Sequence, residues 1–314
     1  MWFSPAALHI PDGFLTPLIA GIGWLLAIVM IVIAIRQTNR QLGERQIPMM
    51  GILAAFIFAA QAINFPVAGG TSGHLIGAAL AAVVMGPWAA TLIMTAVVVV
   101  QGLLFQDGGL LVMGANILNM GILTVAVGYG IFRLAANRGK GTRLVVAGLA
   151  AWLSVMTAAL ATSLELWLSG TARLDIVVPA MLFVHTLIGI GEALITVAAL
   201  TFIMQVRPDI LGGESASAKG GIGWAVTGVL IALAVVVISP LASADPDGLE
   251  RVAEDMGFIN TGQAALFNII PNYTLPFLGP TPLSTILAGA IGMLVVLGIV
   301  FMLGQALRKP VGKS

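Results

Sequence analysis

The side chains of this sequence that are best suited to bind a transition metal are those of three histidines. His9 lies in LHIPDGF near the N-terminus, His74 lies in GGTSGHLIG, and His185 lies in a long apolar segment. Imidazole nitrogens bind nickel, cobalt, copper and zinc. The sequence contains no cysteine, which excludes thiolate ligands and a cysteine nucleophile. His9 and His74 are too far apart in sequence to form a spaced metal-binding motif. The alternatives to a metal site are therefore that His9 is an interfacial residue and that His74 is a helix-cap partner.

The composition indicates that lipid surrounds most of the chain. Of the 314 residues, 59% are hydrophobic and 9% are charged, whereas a soluble domain carries about 25% charged residues. The 14 Lys and Arg nearly balance the 13 Asp and Glu, so nothing in the charge indicates a nucleic-acid partner. Apolar segments that approach or reach the length needed to cross a bilayer predict an all-α polytopic membrane protein. These segments cover residues 16–35, 48–66, 75–86, 88–105, 111–133, 144–167, 179–205, 221–240 and 283–307.

Segment length and basic residues predict the topology. Residues 75–86 would form a helix of about 18 Å, too short for a ~30 Å hydrocarbon core, so we expect a short helix packed inside the protein. With the N-terminus outside, Arg173 and Arg251 are the basic residues in outer loops, and the other twelve of the fourteen lie inside. This arrangement satisfies the positive-inside rule and places His9 and His74 on the outer side.

A polar segment divides the chain. Residues 208–220, PDILGGESASAKG, are rich in Gly and Ser and predict a cytoplasmic linker. Residues 1–207 before it predict a bundle of about seven helices. Residues 221–314 after it predict a transmembrane hairpin of two helices with an outer loop at 241–282.

Ordered blocks of sequence resemble a known transport family. HIPDGFL, GTSGHLIGAALAAVVMGPW and LLFQDGGLLVMGANILNMG are similar to the membrane-embedded, substrate-specific (S) component of energy-coupling-factor (ECF) transporters for nickel and cobalt, the NikM/CbiM family. The resemblance covers residues 8–207. DPDGLERVAEDMGF, with PDGLE at Pro246 to Glu250, resembles the small companion subunit of the same systems. The resemblance therefore implies a NikMN-like fusion, whose hairpin assists transport and need not bind metal itself.

The resemblance also implies a set of metal ligands. In the family, the metal is held by the terminal amine, by the backbone amide nitrogen and a ring nitrogen of the adjacent histidine, and by a second histidine. Carried over, His9 is the first histidine, His74 is the second, and Leu8 stands where the initiating methionine belongs. The residues MWFSPAA precede Leu8, so we predict that the functional chain starts at Leu8, translated as methionine, which supplies the amine. Planar nitrogen ligation favours Ni²⁺, although Co²⁺ remains open.

Further polar groups in apolar surroundings are candidates for roles near the metal. Asp12 could orient an imidazole or cap backbone amides, and Asn64 and Asn116 could hydrogen-bond to groups around the metal or join helices. His185 and Glu192 could form a proton relay. A buried hydrogen-bonded pair with a structural role is the alternative that we prefer for them.

The resemblance implies that the chain binds Ni²⁺ or Co²⁺ outside and passes it inward, across the cytoplasmic membrane of a bacterium or archaeon. The chain contains no Gly-x-x-x-x-Gly-Lys-Ser/Thr motif, so ATP would be hydrolysed by separate ATP-binding subunits that act through a transmembrane coupling subunit. We expect no permanently bound cofactor and no enzymatic activity. A transporter for a small organic solute or vitamin, and a metal-dependent intramembrane enzyme, are the alternatives.

Small side chains on the second apolar segment mark a possible docking face for the coupling subunit. Gly51, Ala55 and Ala59 recur every four residues in GILAAFIFAAQA, and small residues let another helix approach closely. Packing against helices of the same chain is the alternative.

Overall fold

Long apolar helices dominate the computed structural model, which describes residues 9–207 and 223–308. Leu8 and the predicted linker at 208–220 lie outside the described residues. Within the described ranges, seven helical segments are long and apolar enough to cross a membrane, so the prediction of an all-α polytopic membrane protein is confirmed. These segments are Pro17–Gln41, Pro87–Phe105, Met113–Arg133, Lys140–Leu168, Leu174–Val206, Gly223–Leu241 and Pro282–Leu307.

The N-terminal part of the fold is a helical bundle. Proline begins α1 and α4, where its fixed φ and missing N–H suit the first turn of a helix. As predicted, the third helix is short: α3 has 8 residues and is buried over nearly its whole length. The bundle helices are α1 (Pro17–Gln41), α2 (Ile47–Gln61), α3 (Ala78–Met85), α4 (Pro87–Val100), α5 (Met113–Ile117), α6 (Thr124–Arg133), α7 (Lys140–Leu168) and α8 (Leu174–Val206).

Two π-helical stretches flank the loop at residues 106–112. Gln101–Phe105 extends α4, and Leu118–Leu123 joins α5 to α6. Such stretches inside α-helices frequently lie at functional sites, because they shift the side chains that follow them. The loop between them packs against the N-terminal segment that carries His9, through a hydrogen bond from the Gly109 amide to the Ile10 carbonyl at 2.9 Å.

A small antiparallel hairpin precedes His74. β1 (Phe65–Val67) pairs with β2 (Thr71–Gly73) in the register Phe65↔Gly73, Pro66↔Ser72 and Val67↔Thr71. The sequence analysis placed residues 48–66 in one apolar segment. The structure instead ends α2 at Gln61, because the chain becomes extended in order to form this hairpin.

The C-terminal part consists of α9 (Gly223–Ile238), α10 (Gly248–Asp255) and α11 (Pro282–Leu307). The segment between α9 and α11 folds back over the bundle at several points. Its backbone carbonyl at Pro246 accepts from the Ser72 amide at 2.8 Å, and its amide at Gln263 donates to the Asp12 carbonyl at 2.7 Å. These contacts place the C-terminal segment directly on the loops that carry His9 and His74.

The predicted docking face on α2 is covered by the chain itself. A Cβ atom built on Gly51 would lie 3.4 Å from the backbone oxygen of Leu297 and 3.5 Å from the Cβ atom of Phe301, both on α11. Ala55 and Ala59 are fully buried. The prediction that these residues dock a coupling subunit is therefore wrong, because small side chains on this helix serve packing within the protein.

Candidate metal-binding site

The structure brings His9 and His74 together. Their ring centroids lie 5.7 Å apart and the ring planes are inclined by 78°. Metal–nitrogen bonds of about 2 Å allow two imidazoles at such a separation to bind one ion between them. Both rings line a cavity of about 70 Å³, which is large enough for an ion or for water.

Asp107 fixes the ring of His9. The Nδ1 atom of His9 lies 3.0 Å from Oδ1 of Asp107 and 3.2 Å from its backbone oxygen. Because both neighbours are acceptors, Nδ1 carries the donated proton. The Nε2 atom is buried and has no hydrogen-bond partner among residues 9–207 and 223–308. Of the two ring nitrogens of His9, Nδ1 is therefore held by Asp107, and Nε2 is held by no described residue.

Burial and charge act in opposite directions on this pair. Burial alone would lower the pKa of His9, but the charge and hydrogen bonds of Asp107 raise that pKa above its ordinary value. Burial likewise opposes ionisation of Asp107, but the charge and hydrogen bond of His9 hold the pKa of Asp107 below its ordinary value. A metal that binds a ring nitrogen of His9 competes with a proton for that nitrogen.

Asn116 holds the segment next to His9. Its Oδ1 accepts from the Ile10 amide at 3.0 Å, and its Nδ2 donates to the Ile10 carbonyl at 3.1 Å. Asn116 also lines the cavity. Any role of the Asn116 side chain toward the metal stays a prediction. Its hydrogen bonds to the backbone of Ile10 show how it positions the neighbouring histidine.

Asp12 caps backbone amides. Its carboxylate accepts hydrogen bonds at 3.0, 2.9 and 3.2 Å from three consecutive amides, those of Leu110, Leu111 and Val112. This geometry corresponds to the capping alternative, and Asp12 acts on His9 by fixing the loop that contains Asp107. Asn64 is absent from the described residues that line the cavity, and its carbonyl accepts from the Ser243 amide at 2.8 Å.

Glu192 positions the segment that carries His74. Its carboxylate accepts from the amides of Ile76 at 2.6 Å and Gly77 at 2.8 Å, at the beginning of α3. The Nδ1 atom of His74 lies 3.0 Å from the Leu75 carbonyl, so the ring lone pair is on Nε2. His185 instead bonds the Met181 carbonyl through Nδ1 at 2.8 Å. Glu192 and His185 therefore have different partners, and their predicted pairing is wrong.

Two glycines allow the close approaches at the site. Gly108 has φ +92°, and a Cβ atom there would lie 2.8 Å from Cβ of His9. At Gly73 a Cβ atom would lie 2.5 Å from Cγ1 of Ile188. A larger residue at either position would push a histidine-bearing loop away from its support.

Two residues that the sequence analysis did not assign to the site also contribute to it. Asp107 holds His9, and Asp247 of the PDGLE motif lines the cavity together with His185. Burial raises the pKa of Asp247, and the hydrogen bond from the Glu250 amide offsets this only in part. The sequence does mark Asp107, because this acidic residue follows an apolar segment and precedes two glycines in QDGG.

The donor set is incomplete within the described part of the chain, where no three His, Asp or Glu side chains are arranged to hold a metal ion. Leu8, the predicted source of a terminal amine, lies outside that part. Its role stays a prediction.

Comparisons with known proteins identify the family of this chain. Residues 9–210 match the family described as the cobalt uptake substrate-specific transmembrane region, CbiM, and residues 223–309 match the PDGLE domain. A relative from Archaeoglobus fulgidus, named "Putative fused nickel transport protein NikMN", is 35% identical over 309 residues, which are 96% of this chain and 99% of that protein.

A second relative and a solved structure match the N-terminal part. The cobalt transport protein CbiM of Sorangium cellulosum is 34% identical over 219 residues, which are 65% of this chain and 94% of that protein. The crystal structure of a truncated transition metal transporter is 33% identical, with a TM-score of 0.57, and covers 63% of this chain and 98% of its own. The chain therefore belongs to the CbiM family of nickel and cobalt transport proteins, which are multi-pass membrane proteins rather than enzymes, and carries a C-terminal PDGLE domain.

Proposed function

We propose that this chain captures Ni²⁺ or Co²⁺ at the outer face of the membrane and passes it inward. The observation that supports this proposal is the convergence of His9 and His74 on one cavity, with Nε2 of His9 left without a partner among the described residues. Imidazole is a ligand that both metals accept, and nitrogen sites bind Ni²⁺ more tightly than Co²⁺. Nickel is therefore the preferred cargo, and no cofactor is needed.

Leu8, as the initiating residue, would add a terminal amine to the two imidazoles. A chelate that includes the backbone amide of His9 uses the ring nitrogen nearest to that amide, which is Nδ1. Asp107 holds this nitrogen in the structure. The chelate therefore requires the ring to leave Asp107, whereas coordination through Nε2 leaves the hydrogen bond in place.

The proposed importer is an ECF complex in the cytoplasmic membrane. In it, residues 1–207 form the metal-binding module, 208–220 the linker and 221–314 the PDGLE-type module, with the N-terminus outside. Energy comes from ATP-binding subunits through a transmembrane coupling subunit, because the sequence lacks a phosphate-binding loop. The coupling subunit docks on a face other than the Gly51 face of α2.

Uptake of radioactive nickel tests this proposal in cells that lack their own nickel importer. We expect uptake when the chain is expressed with its coupling subunit and ATP-binding subunits. Replacement of the phosphate-binding lysine in the ATP-binding subunit should abolish it, because ATP hydrolysis supplies the energy. Equal uptake by the chain alone would contradict the ECF mechanism and would support a secondary transporter. Uptake of an organic solute without metal would contradict the cargo.

A further inference from the structure

The PDGLE motif at the start of α10 lies against the cavity that His9 and His74 line. Asp247, Gly248 and Leu249 of the motif line the same cavity. We propose that Asp247 supplies negative charge that stabilises a metal cation in this cavity, without itself binding the metal as a ligand. This inference rests on the proposed function, and it gives the C-terminal domain a direct part in metal affinity.

Contacts with β2 and α8 fix the position of the motif. Ser72 of β2 donates through its amide to the Pro246 carbonyl at 2.8 Å and through its hydroxyl to the Asp245 carbonyl at 2.7 Å. On the side of α8, a Cβ atom built on Gly248 would lie 2.8 Å from Cε1 of His185. A larger residue at this position would push the motif away from α8. The motif therefore forms a fixed part of the cavity wall.

The helix cap explains the position of the Asp247 side chain but not its charge. Oδ1 of Asp247 accepts from the Glu250 amide at 2.7 Å, and Oε2 of Glu250 accepts from the Asp247 amide at 3.2 Å. Asparagine and serine cap helices about as well as aspartate. Asp247 is 3% exposed, and the salt bridges within residues 9–207 and 223–308 do not include it. A buried carboxylate of this kind is costly unless a cation offsets it.

A metal in the cavity would both provide that cation and gain from the carboxylate. Removal of a metal ion from water is costly, and imidazoles bring no negative charge, because histidine binds metals in its neutral form. A carboxylate that faces the cavity attracts the cation, and the cation favours the ionised form of the carboxyl group. Within the described part of the chain, no three His, Asp or Glu side chains are arranged to hold a metal ion. Asp247 therefore acts through its charge rather than as a ligand.

The other acidic residues of α10 do not line the cavity of the histidines. Glu250 lines a separate cavity of about 500 Å³ together with Asp12 and Gln106, and Glu254 is exposed. An exposed charge is screened by water and salt, so it acts only weakly on a metal in the cavity. Glu254 therefore provides a control on the same helix for the loss of a carboxylate.

Nickel titration of the purified full chain and its Asp247→Asn variant tests this proposal. Asparagine keeps the helix cap and an oxygen that can accept from the Glu250 amide, but it removes the charge. We expect Ni²⁺ binding to weaken by about tenfold or more, because opposite charges several ångströms apart interact at least this strongly at the effective dielectric constant of a protein. Glu254→Gln should bind Ni²⁺ as tightly as the wild type.

Thermal unfolding and nickel-edge X-ray absorption separate the effect of charge from those of stability and direct ligation. Asp247→Asn and Asp247→Ser, a second neutral cap, should unfold close to the wild type when metal-free. When loaded with nickel, both should keep the imidazole scattering of the wild type. Wild-type nickel affinity in either neutral variant would overturn the inference, and so would the loss of an oxygen ligand or an equal loss of affinity in Glu254→Gln. Absence of nickel binding by the wild type would instead contradict the proposed function.

Discussion

Replacement of His74 by alanine is expected to weaken Ni²⁺ binding by more than about 100-fold, since even groups that only support a metal ligand contribute 10- to 100-fold. The substitution removes one of the two imidazoles whose centroids lie 5.7 Å apart. His9→Ala should weaken binding similarly, and it also removes the imidazole that pairs with the buried Asp107. Isothermal titration with Ni²⁺ and Co²⁺ measures both losses, and His74→Ala is the cleaner variant.

His185→Ala is the matched control for this result. His185 lines the same cavity, but its Nδ1 bonds the Met181 carbonyl within its own helix. We expect its removal to leave Ni²⁺ affinity within a few-fold of the wild type. Loss of binding in His185→Ala with retention in His74→Ala would show that the metal lies elsewhere in the cavity.

Replacement of Glu192 by alanine should cause the largest loss of stability among the residues around the site. The buried carboxylate accepts from the amides of Ile76 and Gly77 at 2.6 and 2.8 Å. Without it, two buried N–H groups lose their acceptor, at a cost of about 1–3 kcal/mol each. The positive end of the α3 helix dipole also loses the carboxyl group that faces it. Thermal unfolding of the metal-free protein measures this loss, and nickel titration measures its effect on His74.

Glu192→Gln and Glu44→Ala provide the comparison for that experiment. Glutamine keeps one acceptor oxygen, so we expect a loss smaller than that of alanine. Glu44 lies at the surface and pairs with Arg308 at 3.2 Å, and exposed pairs contribute about 0–1 kcal/mol. Glu44→Ala should therefore unfold close to the wild type. Equal stability of Glu192→Ala and Glu44→Ala would contradict the role assigned to Glu192.

The membrane-spanning helices could be predicted because they depend on local composition. The apolar segment at 283–307 became α11, Pro282–Leu307, and Pro87 divided α3 from α4 as expected. The β-hairpin was not predicted, because three-residue strands leave no periodic pattern in an apolar chain. Gly51, Ala55 and Ala59 show the opposite error: small residues indicate close helix packing, but the sequence does not say which helix packs there.

The two imidazoles of the site could be proposed from sequence, whereas the groups that hold them could not. Asp107 and His9 are far apart in the sequence, and neither stands in a spacing that indicates contact with the other. The same holds for Glu192, whose partners Ile76 and Gly77 directly precede α3. Contacts of this kind arise from the tertiary fold alone.

X-ray absorption at the nickel edge of the nickel-loaded full chain tests the central claim most directly, because it identifies the atoms bound to the metal. We predict nitrogen ligands with the multiple-scattering pattern of two imidazoles, falling to one in His74→Ala loaded at high nickel concentration. A spectrum of oxygen ligands without imidazole scattering would contradict the account.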